Sequence, residues 1–153
     1  MPLTDHRLLV RGVHYSAIPI VSMEDIHDVY ITEGTVDGQG FSEFVRTYLL
    51  PVLQPFNINP RSIVIMDNVS IHHVQEVSDL IETQAGAKLL YLPPYSPDLN
   101  PAEGVFSQIK CIMKQNHKLF QVCSAPRAMI ACIFGMVDTQ DYIGHISHCG
   151  YIL

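Results

Sequence analysis

The sequence predicts a single α/β domain over residues 1–153, built on a mixed sheet with helices on its faces, and three observations predict it. Two short β-like runs, His14 to Ser22 and Asp28 to Glu33, flank a polar turn at Glu24-Asp25 and read as an antiparallel pair. Further along, apolar runs alternate with segments of helical periodicity, the pattern of strands separated by covering helices. Hydrophobic residues make up 48% of the chain and charged residues 16%, enough apolar surface for one packed interior and too much for a disordered tail.

Each element follows in order. Pro19 inside the first run fits an edge or a bulge better than a central strand, because proline cannot donate to a ladder. After the turn Asp37-Gly38-Gln39-Gly40, residues Phe41, Phe44, Val45, Tyr48, Leu49 and Val52 recur at helical spacing, and Pro51 and Pro55 kink or end that helix. Arg61 to Asp67 is an apolar run closing on an acid, the pattern of a buried central strand. From His73 to Thr83, Val74, Val77, Leu80 and Ile81 mark one face of a second helix, with Gly86 as its stop. Lys88 to Leu92 reads as another buried strand, and Pro93 to Pro101 as a stiff turn segment. A third helix spans Ala102 to Asn116, capped by Asn100 with Pro101 in its first turn. The tail from Pro126 holds one more amphipathic helix through Val137. The order strand, strand, helix, strand, helix, strand, helix, helix suits most of a ribonuclease-H-like fold with its opening strand missing.

The net charge of −6 argues against a domain that holds DNA by itself, since phosphate neutralisation supplies most non-specific affinity, so nucleic-acid affinity is expected to lie in a part outside this chain or to be absent. The longest nearly apolar run, Ala128 to Val137, is too short to cross a bilayer, and Asp5, Arg7 and Arg11 interrupt any signal-peptide core. An intracellular protein is expected. Cys111, Cys123, Cys132 and Cys149 have no paired spacing and read as reduced thiols.

Asp67 closes one strand and Glu103 opens a helix after the next strand, thirty-six positions later. Strand ends and helix starts meet along one edge of an open α/β sheet, so both carboxylates can converge there. Paired carboxylates suit a hard divalent cation, Mg²⁺ or Mn²⁺, of the kind that supports phosphoryl displacement. The plainer alternative is an acid that ends a strand and another that complements a helix dipole. On the third helix Val105, Phe106, Ile109, Ile112 and Met113 gather on one side, and Glu103, Ser107, Lys110, Lys114 and Lys118 on the other. Those lysines could guide a phosphate backbone towards the acids, or form a solvated face.

The words around the two acids add to this. Ile65-Met66-Asp67-Asn68-Val69-Ser70-Ile71-His72 and Leu92-Pro93-Pro94-Tyr95-Ser96-Pro97-Asp98-Leu99-Asn100-Pro101-Ala102-Glu103 closely resemble the second and third acidic motifs of mariner-like DDE transposases. His6 to Gly12 and His14 to Ile18 look like the segment that follows that family's first acidic strand. The resemblance implies that Asp67 and Glu103 hold the second and third metal positions, with Mg²⁺ or Mn²⁺ as cofactor and transposon-end DNA as partner. It places Asn68 and His72 beside the metals, although His72 also suits a solvent-facing helix start. It further implies that the first catalytic aspartate belongs upstream of this chain, Asp5 being set in a turn with no strand before it. Gly104, a weak helix former beside a ligand position, reads as a sign of relaxed selection. A catalytically incomplete transposase relic is therefore expected, nuclear in a eukaryote, with metal binding weak or lost. A non-catalytic binder of DNA, or of a protein such as intact transposase, and a residual metal-dependent nuclease are the alternatives. An edge left open along His14 to Ser22 is expected to favour self-association.

Overall fold

The computed structural model describes residues 2–3, 6–22, 26–57, 60–70 and 74–151. Strands β1 (Pro2–Leu3), β2 (His6–Val10), β3 (Val13–Val21) and β4 (Ile26–Glu33) come first. Helix α1 (Gly38–Phe44), β5 (Ile63–Met66), α2 (Gln75–Ser78) and β6 (Lys88–Tyr91) follow, then helices α3 (Pro101–Gln115), α4 (His117–Val122), α5 (Pro126–Phe134) and α6 (Thr139–His148). Among the described residues they form two three-stranded sheets, β1-β5-β6 with parallel pairing and β2-β3-β4 with antiparallel pairing. The sheets meet where β1 lies against β3.

The predicted antiparallel pair is β3 with β4, in register from Tyr15 opposite Glu33 to Pro19 opposite Val29. Strand β3 is the middle strand of its sheet. Its proline is tolerated because the β2 partners stop at Ala17, and the ladder shifts register between Ile20 and Val21, one residue beyond Pro19. The near-continuous burial of β3 has a topological cause. Ile18 and Ile20 face one core, with Phe41, Phe44, Val64, Met66, Leu80 and Ile81. Tyr15, Ala17 and Val21 face a second core, with Leu8, Val105, Phe106, Ile109, Phe134 and Tyr142. Alternate residues of a strand point to opposite faces, so a strand covered by helices on both sides loses its polar positions.

Two expectations about the sheet are corrected. The place of the opening strand is filled: β1 pairs with the end of β5, Pro2 opposite Ile65 and Leu3 opposite Met66, while β2 pairs with Val13–Ala17 of β3. A strand therefore does precede Asp5, although Asp5 itself lies outside the described residues. The edge expected to be open along His14 to Ser22 is covered over its first half. The local cause is legible in hindsight. Leu8 and Val10 are buried while Arg7 and Leu9 are exposed, a period-two pattern. Arg11 (φ 53°) and Gly12 (φ 77°) then supply the two left-handed residues that a tight hairpin requires. The second correction concerns β6, predicted as buried. Among the described residues it is an edge strand paired only with β5, Ile63 opposite Lys88 through Met66 opposite Tyr91, and Leu90 is 40% exposed. A short apolar run does not reveal whether one face or two will be covered.

The helices follow their sequence signals with local departures. Pro51 has no N–H to give Thr47, and the helix begun by α1 widens over Val45–Leu49, where Leu50 donates to Val45, then tightens over Leu50–Val52. It ends at Leu53, before Pro55. Helix α2 runs on through a wide turn, Asp79–Gln84, and stops as predicted at Gly86 (φ 66°), whose carbonyl accepts from the Phe56 amide at 2.8 Å. The third helix ends at Asn116, so Lys118 belongs to a separate short helix, α4. The tail carries two helices, α5 and α6, rather than one.

Candidate functional site: two carboxylates and a basic groove

Asp67 directly follows β5, the middle strand of the parallel sheet, and its Oδ1 is buried. The Leu92 amide donates to Met66 at 2.7 Å, carrying the β5–β6 pairing one step past β6. The chain then turns at Tyr95 (φ 57°, fully exposed), passes through a short helical turn, Pro97–Leu99, and arrives at buried Asn100. The Asn100 side chain accepts from the Ala102 amide at 3.1 Å, capping α3 with Pro101 at its first position. Glu103 thus lies in the first turn of α3.

The electrostatics tie the two acids together. Partial burial pushes the Glu103 carboxyl above its usual range, Lys110 pulls it back, and the charge of Asp67 adds a further upward push. A partly buried carboxylate with a second carboxylate near it is what a hard divalent cation would relieve, so the donor chemistry fits Mg²⁺ or Mn²⁺. Among the described residues no three His, Cys, Asp or Glu side chains gather as a metal-holding group. Asn68 is exposed directly after Asp67, and His72 lies outside the described residues.

Gly104 has a structural reason to be glycine, which corrects the reading of it as a sign of relaxed selection. A Cβ there would stand 2.4 Å from Nδ1 of His145 and 2.7 Å from its Cγ. The imidazole of α6 packs directly on the α3 backbone. Gln108 holds it there, its Oε1 3.2 Å from His145 Nε2 and its Nε2 donating to Asp141 at 2.6 Å. Tyr142 donates to the carbonyl of Ser22, and Tyr151 to that of Leu99 at 2.8 Å, so the C-terminal segment braces both the sheet and the loop before Glu103. Sequence reasoning found none of this, because a histidine in an unpredicted helix carries no signal of its partner.

A groove of about 460 Å³ runs between β2 and the α3–α4 corner. Arg7 and Arg11 line one wall and Lys110, Lys114 and His117 the other, with no acidic residue among the described lining. Of the three lysines singled out in the sequence, Lys110 and Lys114 belong to it, whereas Lys118 is exposed on α4 outside the lining. The two arginines were missed because β2 was not recognised as a strand.

A split sheet with helices on both faces brings two acids to the ends of adjoining elements, Asp67 after β5 and Glu103 in the first turn of α3. Residues 6–122 match the DDE superfamily endonuclease family, and the chain belongs to that family. Its fold is that of the mariner transposase catalytic domain. The Mos1 transposase catalytic domain with raltegravir and Mg superposes with a TM-score of 0.74 at 17% identity, covering 95% of this chain and 75% of that one. The catalytic domain of Mos1 mariner transposase gives 0.69 at 16% identity, over 95% and 74%. The Mos1 strand transfer complex gives 0.63 at 19% identity, over 93% and 41%. No curated protein sequence matches the chain. Among the described residues no helix is long and apolar enough to cross a membrane.

Proposed function

We propose that this chain is a transposase-derived DNA-binding domain whose Asp67 and Glu103 hold one divalent cation loosely and which neither cleaves nor joins DNA. The observation that carries the reading is the placement of the pair: Asp67 directly follows the middle strand of the parallel sheet and Glu103 lies in the first turn of α3, with no group of three acidic, histidine or cysteine side chains among the described residues. Mg²⁺ keeps most of its waters when few protein ligands are offered, so two carboxylates bind it weakly. A cation there would polarise a phosphodiester, but in-line displacement needs both attacking and leaving oxygens held, and two-metal sites do this with ions roughly 4 Å apart. Misplacement by about 1 Å already reduces rate on the order of a hundredfold. Asn68 and His72 would contact the hydrated ion or the substrate. Lys110 and Lys114 would draw the phosphate backbone along α3, with Lys118 adding charge at the rim. Transposon-end DNA is the proposed partner, which places the protein in the nucleus of a eukaryotic host. Association with an intact transposase or a second copy would use the outer edge of β6, which has no strand partner beyond it among the described residues.

The test is incubation of labelled DNA with the protein and Mn²⁺ or Mg²⁺, alongside Asp67→Ala and Glu103→Ala. The expected result is no product from any of the three, with cation-induced thermal stabilisation in the natural sequence alone. Cleavage by the natural sequence that both substitutions abolish would establish a working nuclease instead, and Asp5→Ala would then be the next variant to make.

A further inference from the structure

The groove between β2 and α3 gathers Arg7, Arg11, Lys110 and Lys114, four of the nine Lys and Arg residues in a chain of net charge −6. Arg46, by contrast, lies elsewhere and is occupied by Glu43 and Glu76. Among the described residues none of the four groove cations is ion-paired with a carboxylate. Arg11 donates to the carbonyl of Cys123 at 3.2 Å, which fixes its position at the end of α4 without neutralising it. The wall opposite the lysines is the open side of β2, where Leu9 is 61% exposed.

We infer that this groove is a phosphate-backbone site for nucleic acid, in which Arg7 and Arg11 of the β2 hairpin form a second basic wall facing Lys110 and Lys114. The inference deepens the proposed DNA-binding reading but does not depend on the metal. Lys110 and Lys114 are one helical turn apart, and Lys110 follows Glu103 by about two turns of the same helix. A strand held between the walls therefore runs along α3 towards the two acids. Net charge is the wrong quantity for judging affinity here, because a polyanion responds to local potential within roughly a Debye length, about 8 Å at physiological salt. An acidic peptide would meet the same charges. A single strand, however, carries one charge on every backbone unit, a continuous row that matches two facing rows of cations, whereas a peptide must turn individual side chains into the groove.

The experiment is equilibrium binding of a fluorescent single-stranded oligonucleotide in EDTA, which keeps it separate from the metal question. Four contacts predict a log–log salt slope of about −2.8 on a single strand, so affinity should fall roughly fiftyfold between about 50 and 200 mM salt. Arg7→Gln with Lys114→Gln removes two charges from the groove while leaving Arg11's bond intact, and the loss should shrink to about sevenfold. Lys88→Gln with Arg127→Gln removes the same net charge outside the groove and should leave the slope unchanged. Circular dichroism confirms folding of both variants. Equal effects of the two pairs, or tighter binding of a polyglutamate peptide than of the oligonucleotide, would overturn the inference. If the groove fails while metal stabilisation through Asp67 and Glu103 persists, only this inference falls. If the groove binds and the metal does not, only the metal reading falls.

Discussion

Gly104 gives α3 poor helix propensity and makes room for a histidine. In an ordinary helix interior, Gly to Ala stabilises by about 0.8–1.0 kcal/mol. Here the added methyl meets the root of the His145 ring, so Gly104→Ala is expected to destabilise by about 1–3 kcal/mol, the range for overpacking. Placed in a His145→Ala background, the same substitution should become stabilising, and a denaturation double-mutant cycle reads the change of sign. Glu103 offers a second residue-scale prediction. Its carboxyl is raised in the folded state, so folding favours the protonated form. That contribution is full below the unfolded carboxylate pKa and is lost as pH rises through the raised folded value. Glu103→Gln should therefore raise the Tm at neutral pH, with the difference vanishing at acid pH. Added Mg²⁺ should stabilise only the parent, narrowing the gap.

At the scale of elements, α3 carries Glu103, Lys110 and Lys114. Its cap, its start and its apolar face were all legible, because Asn-Pro is a start signal and Val105, Phe106 and Ile109 keep helical spacing. Losing the cap in Asn100→Ala should reduce stability by about 1 kcal/mol and loosen the first turn where Glu103 sits. Losing the ring in Phe106→Ala, which packs edge-on to Phe134 at 5.4 Å, should cost about 3–5 kcal/mol. Urea denaturation measures both. Strands β3, β4 and β5 were equally readable from apolar runs and the turns between them. Strand β2 was not, since His-Arg-Leu-Leu-Val has too few apolar positions to announce a strand until its hairpin turn is recognised. The exposure of β6 escaped because it depends on which neighbour is absent, a property of the sheet and not of the strand. Helix α6, with glycine, two histidines and polar residues, had no periodic stripe strong enough to predict.

For the molecule as a whole, the two acids of the proposed site were readable from sequence, and the cations of the proposed groove only in half. Asp67 and Glu103 sit at boundaries that local sequence marks, whereas a groove with two basic walls exists only once a hairpin and a helix far apart in sequence are brought together. The two cores divide in the same way. One is assembled from residues between Ile18 and Tyr91, neighbours in sequence through short crossovers. The other joins Leu8 and Tyr15 to Ile130, Phe134, Tyr142 and Ile146, and Tyr142 closes it by donating to Ser22 across 120 positions. Contacts so distant in sequence demand loop closure before they return any stability, which makes them late and slow. As the chain leaves the ribosome, the first core can consolidate once β6 has emerged. One face of β3, with Tyr15, Ala17 and Val21, stays open to other sticky surfaces until the last helix is synthesised. The hydroxyl of Tyr142 is thus a finishing latch, and a nascent chain stalled before it would belong to the chaperones.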